Sequence, residues 1–253
     1  SLGILIEYPL KVNLKRSINL IKKRKITRKE VNPIVSFIGA GNYASKVLIP
    51  EFYRANCLLD NLGATRGEKL GFLGRNYKFS EISTDSEEII RSESCNTIVI
   101  ATRHDTHGTF VEKVLKNRKN VFVEKPLCLT KKELENIKKS FTGDHILMVG
   151  YNRRFSPLVI EFKRLLNNIN GPKSFIYTCN AGYVDSKHWS QDPTKGGGRL
   201  LGEACHFVDL LRFLVDCPIN NLNVNYLYDN KKHPDSFSIS ISFNDGSIGT
   251  IHY

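Results

Sequence analysis

Gly39, Gly41 and Ala44 stand in the spacing G-x-G-x-x-A, directly after the apolar run Ile34-Val35-Ser36-Phe37-Ile38 and ahead of a helix-like pattern carrying Val47, Leu48 and Phe52. Each small residue has a physical task in such a turn. Gly39 permits the tight bend, Gly41 lets the backbone approach a pyrophosphate, and Ala44 lets helix and strand pack closely. The helix start, with Asn42 and Tyr43, then offers free N–H groups and the positive end of a dipole to an anion. A dinucleotide is the expected ligand. The ribose of NAD is commonly held by a carboxylate about 20 residues further on. Thr65 and Arg66 stand in that place. An arginine there can pair with a 2′-phosphate or stay a solvated loop residue, so NAD and NADP both stay open.

Two further side chains suit proton and hydroxyl chemistry. Lys125 follows the buried-strand pattern Val121-Phe122-Val123 and precedes Pro126, which restricts the backbone and puts the ammonium at the carboxyl edge of a sheet. Ligands of open α/β sheets bind at that edge. His206 follows a loop with three consecutive glycines, 196–198, and histidine is the side chain best suited to exchange a proton near neutral pH. Glu203 and Asp209 lie three residues to either side and can share its helix face. His104 and His107 follow another apolar run, Thr97–Thr102. With Asp105 they offer only three metal ligands, so no metal is expected. Tyr183 and Trp189, on or beside the glycine loop, can stack on a sugar face, and core packing is an equal alternative for Tyr183.

The elements that must position these residues alternate. Strand patterns at 34–38, 97–102, 121–123 and 146–149 are separated by helical ones, with a weaker strand at 59–65 interrupted by Asp60 and Asn61. Thr130 with Glu133 three residues on predicts a capping box. This alternation predicts a parallel, doubly wound sheet over 31–150. Beyond it the pattern changes: a helix at 157–166, a strand from 174, a helix over 200–215, strands at 222–228 and 236–243, a turn at Asn244-Asp245-Gly246 and a strand from 247. That predicts an α+β domain with a mainly antiparallel sheet over 151–253. The fold class is thus α/β, a doubly wound domain followed by an α+β domain expected to be incomplete, since the chain ends inside a strand pattern.

The chain has 253 residues, 37 Lys and Arg against 25 Asp and Glu, and a formal charge of +12. Residues 1–30 carry +7 and the other 223 only +5. The first 30 residues are expected to be a basic extension or interdomain linker, with Leu2–Ile6 as a short strand and 13–26 as a basic amphipathic helix. That arm lacks the interleaving of aromatic and basic residues that stacks bases, so nucleic acid is not the expected partner. Six dispersed cysteines form no C-x-x-C pair, and no apolar run reaches the roughly 20 residues of a membrane span. The expected location is the cytoplasm.

Taken in order, Gly39-Ala40-Gly41-Asn42, Ala101-Thr102-Arg103-His104-Asp105-Thr106-His107, Glu124-Lys125-Pro126-Leu127, Gly150-Tyr151-Asn152-Arg153-Arg154-Phe155 and Gly196-Gly197-Gly198 through His206 resemble the Gfo/Idh/MocA family. The resemblance implies a Rossmann domain, a second domain carrying substrate residues, and NAD(P)-dependent chemistry on sugars, nucleotide sugars or cyclitols. It implies that Lys125 orients the substrate hydroxyl and relays its proton and that His206 handles the proton. It also implies that Thr102, His104, His107 and Glu124 line the nicotinamide end, and that Tyr151, Arg153 and Arg154 meet substrate. There are departures. His104 stands for the usual Asn and Arg103 for Pro. Gly202 stands where an Asp is common; either Glu203 beside it supplies the carboxylate from a shifted position or the acid/base pair is absent. The wording Gly202-Glu203-Ala204-Cys205-His206-Phe207-Val208-Asp209 resembles a branch fused behind a zinc-type alcohol dehydrogenase-like domain and linked to surface-polysaccharide synthesis. Self-association through the second domain's sheet is the implied oligomer. A non-catalytic NAD(P)-binding sensor or scaffold is the competing expectation.

Overall fold

The computed structural model describes residues 15–21, 33–67, 70–227 and 235–253. The predicted strand at 2–6 lies outside them. The chain divides into two compact units, 1–96 and 97–253.

In the first unit, β1 (Ser17–Asn19) and β2 (Ile34–Ile38) precede a π-helical turn, Ala44–Leu48, that runs into α1 (Ile49–Arg54). Then follow β3 (Leu58–Gly63), α2 (Leu70–Asn76), β4 (Glu81–Ser83) and α3 (Ser86–Arg91). The strands lie in the order β1-β4-β3-β2. β2, β3 and β4 are parallel, as the helices between them require. All five residues of β2 are buried, the signature of a strand covered on both faces. Phe37 anchors this core, edge-on to Phe52 and Phe79 with centroids 5.4 and 5.9 Å away.

Two local expectations change here. The described part of the predicted helix 13–26 is a strand: Ser17 and Ile18 pair antiparallel with Ser83 and Ile82. The free edge of β4 gives this short segment partners that an isolated helical turn lacks. Asp60 and Asn61 do not interrupt β3. Both are buried, and Asn61 Nδ2 and the Ser94 hydroxyl donate to the Asp60 carboxylate. Buried polar side chains are tolerated when they bond one another.

In the second unit, β5 (Thr97–Ile100), α4 (His104–Lys116), β6 (Asn120–Val123), α5 (Lys131–Ser140) and β7 (Leu147–Val149) continue the alternation, with β5, β6 and β7 parallel. Thr130 Oγ1 accepts from Glu133 N–H while the Glu133 carboxylate accepts from Thr130 N–H, so the capping box forms as predicted. After α6 (Pro157–Leu166) come β8 (Ser174–Thr178), a π-helical turn Leu200–Ala204, α7 (Cys205–Val215), β9 (Ile219–Tyr226), β10 (Phe237–Phe243) and β11 (Ile248–His252). The sheet order is β8-β11-β10-β9, antiparallel except for β8 with β11. The apolar stripe of α7 packs on one face of it through Phe207, Leu211 and Leu214, against Ile239, Ile241 and Ile251. Each such fully buried side chain contributes roughly 1.5–3 kcal/mol. The sheet therefore acts as the bed that fixes α7, and α7 carries His206.

Candidate active site

The Gly39–Ala44 turn belongs to the first unit. Gly39 sits at φ 110, a left-handed conformation that a side chain would strain, and its N–H donates to Gly63 O at 2.8 Å. A Cβ added at Gly41 would meet nothing within 4 Å, so the backbone there borders open space. Ala44 is buried, whereas Asn42 and Tyr43 are exposed. This is the geometry a pyrophosphate cradle needs: an approachable backbone at the start of a helical run. Thr65 and Arg66 are exposed just past the end of β3.

The second unit builds the rest from strand ends. Parallel register sets Ile100, Val123 and Val149 side by side. The residues that follow, Thr102, Glu124-Lys125 and Tyr151, therefore leave the sheet at one edge. Glu124 N–H donates to Ile100 O and Gly150 N–H to Val123 O, continuing the ladder into the turns. A Cβ at Gly150 would lie 2.6 Å from a Glu124 carboxyl oxygen, so a side chain there would push that carboxyl aside. Burial pushes the Glu124 carboxyl up to about 7 against the opposing pull of Lys125.

Lys125 Nζ donates to the Gly202 carbonyl at 2.6 Å. That bond brings the ammonium to the turn preceding His206. The His206 imidazole lies edge-on to Tyr151, centroids 6.0 Å apart. Burial first, then Lys125 and Arg153, push its pKa down to about 4, with Glu203 opposing. Its Nδ1 is buried with no hydrogen-bond partner. Such an atom costs about 1–3 kcal/mol unless a ligand supplies a partner. Burial also raises the Tyr151 phenol, which Cys205 hydrogen-bonds.

The carboxylates near His206 are engaged elsewhere. Glu203 accepts from Arg199 Nη1 at 2.8 Å and from the Tyr253 hydroxyl. Asp209 holds Arg154 through two hydrogen bonds, one of them Nε to Oδ2 at 3.0 Å. Arg154 also lies over the Phe213 ring. Arg153 lies 4.9 Å over Phe207.

On α4, His107 is wholly buried, with Nδ1 2.7 Å from Pro126 O and Nε2 3.2 Å from Thr102 O. Burial pushes its pKa down, and a neutral ring can donate to only one of the two carbonyls. It ties the Lys125-Pro126 turn to the end of β5. His104 Nδ1 donates to Gly196 O at 2.8 Å, and Trp189 meets its ring edge-on at 4.9 Å. Burial pushes His104 down to about 4, so the ring stays neutral. His104 thus fastens the glycine loop to α4. Tyr183 is 80% exposed, outside the core.

Lys125, Tyr151, Arg153 and His206 are therefore brought together, with His104, His107 and Trp189 holding the surrounding turns. Arg199 and Tyr253 escaped the sequence reading. Arg199 is four residues before Glu203, a spacing that could have flagged it. Tyr253 is 50 residues away and carried no local signal.

Two family patterns match the chain. "Oxidoreductase family, NAD-binding Rossmann fold" matches residues 34–151, and "Oxidoreductase family, C-terminal alpha/beta domain" matches residues 165–253. Among curated relatives, the scyllo-inositol 2-dehydrogenase (NAD(+)) of Bacillus subtilis is 26% identical over 189 residues, covering 72% of this chain and 53% of the relative. The myo-inositol 2-dehydrogenase of Thermotoga maritima is 25% identical over 199 residues, covering 73% and 55%. The chain thus spans about half the length of these relatives. Among solved structures, levoglucosan dehydrogenase in complex with NADH superposes with a TM-score of 0.76 at 20% identity, covering 87% of this chain and 66% of that one. Aldose-aldose oxidoreductase from Caulobacter crescentus, complexed with glycerol, gives 0.75 at 22% identity, covering 87% and 70%. These likenesses place the fold as a Rossmann-like domain followed by an α/β domain.

Proposed function

Because the chain belongs to the Gfo/Idh/MocA oxidoreductase family, we propose that it is an NAD(P)-dependent dehydrogenase acting on a CH–OH group of a sugar, nucleotide sugar or cyclitol. The observation that carries this reading is the meeting of Lys125 with the turn ahead of His206, beside a buried imidazole nitrogen that lacks a partner. The inositol, levoglucosan and aldose substrates named for its relatives support the polyol class.

Gly39, Gly41, Asn42, Tyr43 and Ala44 fit the dinucleotide's pyrophosphate, and Thr65 and Arg66 fit its adenosine ribose. The bound nicotinamide supplies the hydride chemistry. The protein's own groups handle the oxygen and its proton. Lys125 Nζ donates to the substrate oxygen and stabilises charge developing there. The His206 imidazole, neutral at pH 7, takes the hydroxyl proton as the C–H bond breaks, and returns it in the reverse direction. Glu203, three residues before this histidine, acts on it through the field. Trp189 and Tyr183 offer rings to a sugar face, with Thr102, His104, His107 and Glu124 framing the nicotinamide end. The reading also places the chain in the cytoplasm, in surface-polysaccharide synthesis, behind a fused upstream domain. It includes self-association through the outer face of the β8–β11 sheet, where Ser238, Ser240, Asn223 and Thr250 stand without charge.

Titration calorimetry with NAD(H) and NADP(H), followed by turnover on a panel of polyols, tests this. One cofactor should bind, and Lys125→Ala should lower kcat/KM about 100-fold or more while leaving cofactor binding in place. One observation favours a second reading. Position 202, where the family commonly has Asp, is glycine and offers Lys125 only a backbone carbonyl. A sensor or scaffold would bind cofactor and turn over no polyol.

A further inference from the structure

The charges around His206 do not balance. Lys125 and Arg153 both press on its imidazole from outside α7. Lys125 is bonded to a neutral carbonyl. Among the described residues, Arg153 has no carboxylate within ion-pair distance, and its guanidinium lies over the Phe207 ring. A guanidinium placed over an aromatic ring, with no carboxylate on its fork, keeps N–H groups available for bonds to an oxyanion.

The anions that would offset these cations are committed. Glu203 serves Arg199 and Tyr253, and Asp209 serves Arg154. Glu124 sits in surroundings that favour its neutral form. Position 202 carries no side chain, and steric crowding is not the reason. An added Cβ would have its nearest neighbours, Gly196 O and the His104 ring, at 3.4 and 3.5 Å. Two cations sharing one partly buried site without a counter-charge raise the site's energy, and an anionic ligand lowers it.

We propose that the substrate brings the missing negative charge: the site takes a polyol carrying an oxyanion, with Arg153 gripping the oxyanion while Lys125 holds the hydroxyl to be oxidised. The oxyanion can be the carboxylate of a sugar acid or the phosphate of a sugar phosphate or nucleotide sugar. This deepens the function proposed above and rests on it.

The test compares polyols matched except for charge: glucose, glucuronate and glucose 6-phosphate. Each is assayed with the 253-residue chain and its cofactor by initial rates, and by calorimetry for binding. At least one anionic member should exceed glucose by about tenfold or more in kcat/KM or affinity. The carboxylate and phosphate arms then show which oxyanion is preferred. Arg153→Gln should collapse that anionic-to-neutral ratio toward one, and higher salt should shrink it in the parent chain. A preference for glucose, equal treatment of the three, a ratio untouched by Arg153→Gln, or no binding of any of them would overturn the proposal. Selective binding of an anionic polyol without turnover would leave it standing and remove the dehydrogenase reading. Turnover of neutral polyols alone would do the reverse.

Discussion

His206 and Glu124 hold abnormal protons for the same reason, burial, and the signs are opposite because one is charged when protonated and the other when not. His206 and His104, both lowered from 6.5 to about 4, bind fewer protons folded than unfolded across that interval. Their contribution to stability is present above pH 6.5 and is lost as pH falls through about 4. Glu124, raised from 4.5 to about 7, behaves the other way. Its contribution is present below pH 4.5 and is lost as pH rises through about 7. Urea unfolding from pH 4 to 8 should therefore show a shallower acid loss in His104→Asn, and a shallower loss on the alkaline side in Glu124→Gln. A slope unchanged by both variants would contradict these protonation states. At this scale the motif spacing singled out Lys125, His104, His107 and His206. What Lys125 and His104 bond was not legible, because their partners lie far along the chain: Gly202 for Lys125 and Gly196 for His104.

Glycines divide the elements into those that admit a side chain and those that do not. A Cβ at Gly196 would fall 2.3 Å from Ser190 Cα and O, backbone atoms that cannot swing aside, whereas one at Gly41 meets nothing. Gly196→Ala should thus destabilise the fold by about 1–3 kcal/mol and loosen the loop that His104 pins. Gly41→Ala should leave the melting temperature nearly unchanged and weaken dinucleotide binding about tenfold or more. Thermal melts beside cofactor titration separate the two, and equal losses of stability would refute the distinction. Helix and strand identity was largely legible here, because hydrophobic period and capping are local. The capping box at Thr130 is the clearest case. The strand at 17–19 was not, since it exists only through the edge of β4, and β3 was read weakly because Ser94, the partner of Asp60, is 34 residues away.

At the scale of the whole chain, the link between fold and function is the cofactor. A dinucleotide that binds only the folded protein adds about 2.7 kcal/mol of stability at a concentration 100 times its Kd. NAD(H) or NADP(H) should therefore raise the melting temperature, and Arg66→Ala should diminish the rise with NADP(H) more than with NAD(H). No rise with either would argue against the dinucleotide turn. Among the described residues no helix is long and apolar enough to cross a membrane. Of the +12 formal charge, +7 sits in residues 1–30.

By itself the sequence determined the class of fold, the tight glycine turn after β2 and the family, because periodicity, small-residue spacing and strand-end motifs are properties of neighbouring residues. Only the tertiary structure decided which charges at His206 are answered and which are not. Ion pairing is settled in space: Arg199, Tyr253 and Arg154 claim Glu203 and Asp209 from up to 55 residues away, and Arg153 is left over its aromatic ring without one.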